Sequence, residues 1–368
     1  MNLSKEQLAR VWLQCAPLYA RPKIAKLVSQ QGGALNLWNS FTPAFYEALG
    51  PDYFSFLADS RAVQCGPALR QLEALGAYPL FRGEEGYPAA LVKISDGPDV
   101  LFVRGALPRD GSPAIAMVGS RRSTRYGSSQ ARRIARGLAE SGVAVISGLA
   151  RGIDAASHWG ALDGQGLTVA VLGCGLGHIY PPENKDLAEK ILASGGALVS
   201  ELAPDELPLP HHFPARNRII SGLAQGLLLI EAQLKSGTHT TVDYARSQGK
   251  PLFALPGNVD APGSELPLQL LRNGAALCVG PEDILSRMDW AQKPPEQPSF
   301  LPEEPALDEN DPNAPILRAL ALEEKTLEEL IDETGLSAGE LGAQLTMLEI
   351  CGTVERRAGR AYALVRAR

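Results

Sequence analysis

The chain has 368 residues, of which 45% are hydrophobic and 21% charged, and its formal net charge is −6. This length exceeds one ordinary core and predicts two or three domains, while the composition excludes wholesale disorder. The five cysteines lie far apart without a CxxC pair, which argues against a zinc site and a disulfide framework and suits the cytoplasm. No apolar run approaches 18 residues and the first residues lack an apolar signal segment, so we expect neither a membrane span nor export.

The sequence pattern of residues 1–76 predicts a helical, SAM-like domain. Apolar residues recur at helical spacing, as at Leu8, Val11 and Trp12, and proline and glycine interrupt the pattern. The basic edge formed by Arg21, Lys23 and Lys26 is either a binding face or, more simply, a solvated helix surface.

From about Tyr78, short aliphatic runs alternate with segments of helical length. The runs are Ala114–Val118, Val143–Ser147, Leu167–Leu172, Ala197–Ser200, Leu227–Glu231, Leu252–Leu255 and Ala276–Val279. Near-continuous apolar runs indicate strands that are covered on both faces, and their alternation with helices indicates βαβ crossovers. We therefore predict an α/β fold over residues 77–290, with a doubly wound, Rossmann-like parallel sheet.

The C-terminal part divides into a linker and a small domain. Residues 293–312 contain six prolines and six acids against one lysine, which predicts a semi-extended linker over 291–312. Residues 313–368 follow a winged-helix plan of three helices and a β-like pair, and Thr326/Glu329 and Ser337/Glu340 are capping-box patterns. The third helix, Ser337–Ile350, carries no Lys or Arg, so a protein-contact role is favoured over duplex-DNA reading, which remains an alternative.

Turns rich in glycine, hydroxyl groups and cations follow five of the predicted strands. They are Gly119–Ser123, Gly148–Asp154, Gly173–His178, His211–Arg218 and Ser236–Thr241. Ligands of open α/β sheets lie beyond the carboxyl ends of the strands, where helix N-termini present free N–H groups, so the five turns together predict a polyanion site. Gly173, Gly175 and Gly177 fit a dinucleotide fingerprint poorly, because the spacing is GxGxG and no ribose-binding acid is evident. We therefore expect no nucleotide cofactor and no metal.

Cations at the same sheet edge indicate which polyanion is bound. Six arginines lie between residues 121 and 136, whereas the acids concentrate between Glu296 and Asp311, so the net charge hides a local basic region. The cations expected to project toward the edge exceed the need of a mononucleotide: Arg121, Arg151, Lys185, Arg216 and Arg218. Phe213 either offers its ring to a base or packs beneath the loop. This set favours single-stranded DNA.

Several ordered motifs resemble the DNA-processing protein A family of bacteria (DprA, also called Smf). They are Met117–Arg121, Ile146–Asp154, Tyr180-Pro181, Phe213–Ile220, Ser236–Thr238 and Pro256-Gly257. The resemblance implies a cytoplasmic homodimer that binds single-stranded DNA without sequence preference and protects incoming strands in natural transformation. It also implies that the protein helps to load RecA onto strands coated with single-strand-binding protein.

The resemblance assigns DNA-binding roles to particular residues of this chain. Together with the strand-end turns it gives the set Gly119, Ser120, Arg121, Arg151, Lys185, Phe213, Arg216, Asn217, Arg218, Ser236, Gly237 and Thr238. Two positions depart from the family pattern: His158-Trp159 stands where Ala-His is usual, and His239 stands where a small aliphatic residue is expected.

An enzyme is the alternative from another class. The sheet with its Gly-Thr turn is similar to that of the cytokinin-activating phosphoribohydrolases, which use a glutamate after a Pro-Gly-Gly-x-Gly-Thr-x-x-Glu turn. Residues 236–243 lack the diglycine, and Asp243 falls at a different offset. Because no acid–base pair is evident, we expect no catalytic residues and a binding protein rather than an enzyme.

Overall fold

A computed structural model describes residues 2–40, 65–290, 312–320, 324–351, 353–356 and 361–364. The chain forms two compact units, Met1–Gln292 and Lys293–Arg368. The first unit holds both the N-terminal helices and the sheet, so a separate domain over 1–76 stays a prediction. Apart from Pro312, the predicted linker falls outside the described residues.

The N-terminal helices are α1 (Lys5–Gln14), α2 (Arg21–Gln31), α3 (Ala34–Asn39) and α4 (Cys65–Ala74). Ser4 and Gln7 form a capping box at the start of α1, and Gly32, with a φ of 73°, ends α2. Trp12 is fully buried in the same core as Phe102, so these helices cover one face of the sheet. The helical prediction is confirmed over the described part of this segment.

A nine-stranded sheet organises the first unit, in the order β1-β2-β6-β5-β4-β3-β7-β8-β9. Its strands are β1 (Ala77–Phe81), β2 (Val100–Gly105), β3 (Ala114–Val118), β4 (Ala144–Ser147), β5 (Thr168–Val171), β6 (Ala197–Ser200), β7 (Gly226–Leu229), β8 (Leu252–Ala254) and β9 (Ala276–Leu277). The seven strands from β6 to β9 are parallel, as predicted.

The sheet extends beyond the predicted parallel core. β1 and β2 extend the sheet as antiparallel strands, with β2 paired to β6. The only helix between β1 and β2 is the short α5 (Ala89–Val92), so a search for βαβ alternation does not find them. Pro79 lies within β1, which is compatible with an edge strand because proline cannot donate to a second neighbour.

Among the described residues, seven further helices cover the two faces of the parallel strands. They are α6 (Arg125–Glu140), α7 (Ile153–Asp163), α8 (Lys185–Ala193), α9 (His212–Leu223), α10 (Thr238–Ser247), α11 (Glu265–Arg272) and α12 (Pro281–Arg287). Alternate residues of β3 enter different cores: Ile115 and Met117 pack with α6, whereas Ala116 and Val118 pack with α9. All are buried, which explains the continuous apolar run of this strand.

The strand order changes direction at β3. From β3 the chain adds β4, β5 and β6 on one side and then returns to add β7, β8 and β9 on the other. A topological switch point therefore lies between β3 and β7, and the crevice outside their carboxyl ends is the usual ligand site of such sheets.

Over its described residues, the second unit contains three helices and a small sheet. The elements are α13 (Ala314–Ala319), β10 (Lys325–Thr326), α14 (Leu327–Thr334), α15 (Ala338–Ile350), β11 (Val354–Arg356) and β12 (Ala361–Leu364), with sheet order β10-β12-β11. Both predicted capping boxes are present, and the winged-helix prediction is confirmed, with β10 as an unpredicted strand. Among all described helices, none combines the length and apolarity needed to cross a membrane.

Candidate nucleic-acid interface

A cleft of about 620 Å³ lies across the carboxyl ends of the parallel strands. Turns that follow β3, β4, β6 and β7 meet in it, together with the Tyr180 loop. Its lining includes Gly119, Ser120, Arg121, Arg122, Ala150, Asp154, Tyr180, Pro208, Pro210, Phe213, Arg216, Asn217, Ser236, Gly237 and Thr238. The cleft therefore brings together nine of the twelve residues that the sequence singled out.

The loop after β3 is held rigidly by its neighbours. A Cβ on Gly119 would lie 2.6 Å from Cγ1 of Ile153, so a side chain there would require the packing to shift. The Ser120 N–H donates to the carbonyl of Glu231 at 2.6 Å, and the Ser120 carbonyl accepts from the Ile153 N–H at 3.2 Å. Arg121 follows on this fixed loop with its side chain exposed.

The N-terminus of α6 is occupied by a carboxylate of the protein itself. Glu231 is buried, and it accepts hydrogen bonds from the Thr124 N–H at 2.8 Å and the Thr124 hydroxyl at 2.5 Å. A Cβ on Gly127 would lie only 2.3 Å from this carboxyl group. In dinucleotide-binding folds the pyrophosphate lies at the corresponding helix N-terminus. An anion in the cleft would therefore meet the arginines of the loop rather than the start of α6.

Within the turn Gly173–His178, the amides of Gly175 and Gly177 are not presented to the cleft. The Gly175 N–H donates to the carbonyl of Glu206 and the Gly177 N–H to that of Pro204, both at 2.8 Å. A Cβ on Gly175 would lie 2.0 Å from the Ala203 carbonyl oxygen. The expectation that this turn binds an anion is wrong, because its glycines permit close packing against residues 203–206.

Arg216 lies in the cleft wall but is almost completely buried. Its guanidinium donates to the carbonyl of Gly148 at 2.8 Å and to the carbonyl of Val171. Burial lowers the pKa of Arg216 to about 10, against the opposing effect of Asp154. This arginine joins α9 to the ends of β4 and β5, so much of its hydrogen-bonding capacity is already used.

Arg218 does not reach the cleft, contrary to the expectation. Its two terminal nitrogens donate to the carboxylate of buried Glu201 at 2.6 and 2.8 Å, and its Nε donates to the Asp96 carbonyl at 2.9 Å. Residues two apart on a helix point in nearly opposite directions, so Arg216 and Arg218 cannot both face the cleft. Between them, Asn217 lines the cleft and donates to the Thr240 hydroxyl at 3.0 Å.

The ring of Phe213 is half-buried and has neighbours on several sides. A Cβ on Gly173 would lie 2.8 Å from its Cδ1, so the ring packs closely on that glycine. The Tyr180 ring centroid is 5.5 Å away, and Cζ of Arg121 is 5.1 Å from the Phe213 centroid. Phe213 thus packs on the loop and also contributes surface to the cleft, so the two interpretations from the sequence are compatible.

Arg151 lies beside the cleft, whereas Lys185 does not line it. Arg151 is exposed and donates to the carboxylate of Glu183, which raises the pKa of Arg151 and lowers that of Glu183. It lines a small recess beside the cleft together with Arg121 and Phe213. Lys185 begins α8 and is exposed, but it is not among the residues that line the cleft or the recess.

The start of α10 opens on the cleft beside the β3 loop. The Thr238 hydroxyl donates to the Gly119 carbonyl at 3.1 Å and joins the two segments. The Ser236 hydroxyl oxygen is buried and has no hydrogen-bond partner among the described residues. Because a helix N-terminus carries partial positive charge, this end of α10 favours an anion in the cleft.

Comparison with known proteins places the chain in a family. The model described as DNA recombination-mediator protein A matches residues 79–289, and the model described as DprA winged helix domain matches residues 300–360. The chain belongs to the DprA/Smf family. Among curated relatives, Protein Smf of Escherichia coli (strain K12) is 41% identical over 277 residues, covering 73% of each chain. The DNA processing protein DprA of Streptococcus pneumoniae (strain ATCC BAA-255 / R6) is 39% identical over 207 residues, covering 56% of this chain and 73% of the relative.

Solved structures of DprA proteins show the same architecture. The X-ray structure of DprA from Streptococcus pneumoniae aligns with a TM-score of 0.63 and 29% identity, covering 78% of this chain and 98% of that one. A DprA structure from Helicobacter pylori aligns with a TM-score of 0.52 and 30% identity, covering 58% and 95%. Its description concerns a single-stranded DNA binding mode of that protein.

Some lining residues of this DprA-family cleft were not among the predicted site residues. Arg122 belongs to the arginine-rich segment, and Tyr180 to a motif that the sequence analysis quoted, so both had a signal. Pro208 and Pro210 had none, because a proline after a strand reads only as a turn residue. Their position in the wall depends on how the β6–α9 connection folds.

Proposed function

We propose that this DprA-family protein binds single-stranded DNA in the cleft without preference for sequence. The observation that carries the proposal is the pairing of Arg121 with Phe213, which presents a guanidinium and an aromatic ring side by side. Proteins that hold single strands combine cations for the backbone with rings for exposed bases. Arg122, at the same loop, and the N-terminus of α10 add positive potential.

Apolar surface in the cleft supports a single strand rather than a duplex. Tyr180, Pro208 and Pro210 supply aromatic and aliphatic surface, and Leu207 and Leu209 in the same loop are exposed. Such a surface gains contact only with bases that are unpaired and accessible. Because every base has an apolar face, this wall would accept all of them.

Family membership supports the wider role that we propose. The matched model describes a DNA recombination mediator, and curated relatives are described as DNA processing proteins. We propose that this protein acts in the cytoplasm as a homodimer, protects incoming strands in natural transformation and loads RecA onto strands coated with single-strand-binding protein. Arg151 in the recess beside the cleft, and Lys185 at the start of α8, would contact phosphates that enter or leave the cleft.

The cleft chemistry favours binding over catalysis. Among the described lining residues, Asp154 is the one carboxylate, and it accepts from the N–H groups of Gly148 at 3.2 Å and Ala150 at 3.4 Å. Asp243, the candidate from the phosphoribohydrolase resemblance, is not a lining residue and bonds to His239 at 2.8 Å. We therefore propose no catalytic residue.

The winged helix is proposed as a protein-contact module. Helix α15 exposes Met347 and Ile350 and carries no Lys or Arg. Such a face offers apolar contact to a protein and little attraction to the phosphates of a duplex. The duplex-reading alternative would be favoured by cationic donors on this helix, and its sequence contains no Lys or Arg.

The proposal is tested by measuring the affinity for single-stranded and duplex DNA of equal length across a salt series. The measurement is made with the full chain and with a chain that lacks residues 293–368. We expect tighter binding of the single strand by both proteins and similar affinity for several base compositions. If the full chain prefers the duplex and the truncated chain does not, the DNA-binding site is the winged helix rather than the cleft. Release of free base from AMP, or cleavage of the strand, would establish an enzyme instead.

A further inference from the structure

Helix α6 carries a stripe of arginines on its outer surface. Arg125, Arg132 and Arg136 are seven and four residues apart, which places them within about 40° of one another around a helix of 3.6 residues per turn. With a rise of about 1.5 Å per residue, they extend over roughly 16 Å. Arg133 lies next to the stripe, and all four side chains are exposed. These four residues are called the arginine ridge below.

The ridge retains positive charge after its ion pairs are counted. Arg132 pairs with Asp163 and Arg136 with Glu140, both as exposed pairs. Arg133 donates to the neutral Gln130 side chain. Exposed pairs contribute little to stability and leave guanidinium N–H groups free for another anion. The four arginines and their two ion-pair partners together carry an excess of two positive charges.

The position of the ridge relates it to the cleft. Arg121 and Arg122 line the cleft, and Arg125 begins α6 only three residues later. From there α6 returns along the outside of the sheet, so the ridge continues away from the cleft. Its arginines are not needed for the core, because Ile134 and Leu138 on the opposite side of α6 supply the buried contacts.

We infer that the arginine ridge binds backbone phosphates of the strand that extends beyond the cleft. This inference rests on the proposed function and adds a second, peripheral segment to the same binding path. Guanidiniums that lie along an exposed helix surface contact the charged backbone of a strand. The ridge therefore extends the length of strand that one protomer holds without adding sequence preference.

The test compares oligothymidylates from about 4 to about 16 nucleotides, the range of site sizes found for single-strand-binding folds. Affinity and its salt dependence are measured for the full chain and for the triple variant R125A/R132A/R136A. A control, R246A/R272A/R287A, removes three exposed charges from other helices of the first unit. A second variant, R125K/R132K/R136K, preserves the ridge charge.

For the natural sequence and the control, we expect affinity and salt slope to increase with strand length. The alanine variant should bind the shortest bound strand within about twofold of the natural sequence and lose the length-dependent gain. Its salt slope for long strands should fall by roughly 2, from about 0.7 for each of three contacts. The lysine variant should retain the gain, because the slope depends on charge.

The two proposals fail in different ways. If the alanine variant keeps the full gain with length, or if the control loses it equally, the ridge inference is overturned while binding in the cleft stands. If no length binds to the natural sequence, the proposed function fails and the ridge inference fails with it. If the alanine variant instead loses affinity for an acidic peptide but not for long strands, the ridge is a protein-binding surface.

Discussion

The guanidinium carbon of Arg121 lies 5.1 Å from the centroid of the Phe213 ring. The first residue belongs to the loop after β3 and the second to the start of α9, so the contact joins two segments separated by 92 positions. A cation over an aromatic face is attracted by the ring quadrupole, which holds the arginine in place. Under the proposed function, the pair would preorganise one phosphate contact beside one base contact.

Arg121→Ala should weaken single-strand binding by a similar factor for all base compositions. When one phosphate contact is lost, the counterions of that phosphate are no longer released on binding. The magnitude of the salt slope of the affinity should therefore decrease by roughly 0.7. Fluorescence anisotropy with labelled oligonucleotides across a salt series measures both quantities. Arg121→Lys is the matched control and should keep most of the slope; an unchanged slope in the alanine variant would place the phosphate contact elsewhere.

Phe213→Ala should cost about 1–3 kcal/mol of binding free energy if the ring stacks on a base. Phe213→Leu separates stacking from packing, because leucine keeps an apolar side chain against Gly173 but removes the ring. We expect the leucine variant to lose nearly as much affinity as the alanine variant while keeping more of the stability. Recovery of full affinity by leucine would mean that Phe213 only packs.

Gly237→Asp should affect folding and binding in opposite directions. A Cβ at Gly237 meets no atom within 4 Å, and its φ of −61° suits any residue, so a side chain fits without strain. A carboxylate at the N-terminus of α10 should stabilise the helix by about 0.3–1 kcal/mol, yet it should repel phosphates in the cleft. Gly237→Asn is the uncharged control of equal shape. Equal affinity of the two variants would show that strands do not pass the start of α10.

Glu201→Gln should destabilise the first unit without weakening DNA binding. Glu201 is buried and accepts from Arg21 at 2.8 Å as well as from Arg218, so its loss leaves two arginines without their carboxylate, at a cost of about 3–5 kcal/mol. Asp99→Asn breaks the more exposed pair with Arg10 and should cost about 1 kcal/mol or less. Urea unfolding measures both, and a large loss of affinity in still-folded Glu201→Gln would contradict the position of Arg218 outside the cleft.

Because of the buried carboxylate of Glu201, we expect the protein to lose stability in acid. Burial alone would raise the pKa of Glu201, but Arg218 and Arg21 outweigh it and hold the pKa below its ordinary value. A carboxylate with a depressed folded pKa stabilises the protein above its unfolded pKa of about 4.3. This contribution is lost as pH falls from there through the folded pKa. The Glu201→Gln variant should therefore show a flatter decrease of unfolding free energy below about pH 4.3.

His158 predicts a separate pH dependence at higher pH. It is fully buried, its Nδ1 lies 2.6 Å from the Thr168 hydroxyl, and burial lowers its pKa to about 3. The unfolded chain binds a proton near pH 6.5, so the stabilisation is present above that value and is lost progressively as pH falls toward about 3. Between pH 6 and pH 5 the loss should be about 1 kcal/mol.

His158→Asn isolates this effect. Asparagine keeps a donor for the Thr168 hydroxyl but does not titrate, so the variant should lose less unfolding free energy between pH 6 and pH 5 than the natural sequence. His212, whose pKa burial also lowers, contributes to both proteins and cancels in the comparison. Equal pH slopes for the two proteins would contradict a buried, neutral His158.

The sequence by itself determined the fold class and the edge of the sheet where the cleft lies. Continuous apolar runs such as Ala114–Val118 are a direct consequence of burial on both faces, and residues that follow parallel strands must meet at one edge. The capping boxes at Thr326 and Ser337 were equally readable, because they depend on residues only three apart.

The tertiary structure decided which residues at that edge of the sheet remain available to a ligand. Arg216 and Arg218 look alike in the sequence, yet one binds strand-end carbonyls and the other binds Glu201, because helix geometry points them apart. The Gly175 N–H likewise donates to the carbonyl of Glu206 and is not available to an anion. A guanidinium or a glycine amide has the same local pattern whether its partner is a phosphate or a carbonyl, so only the position of distant segments identifies the partner.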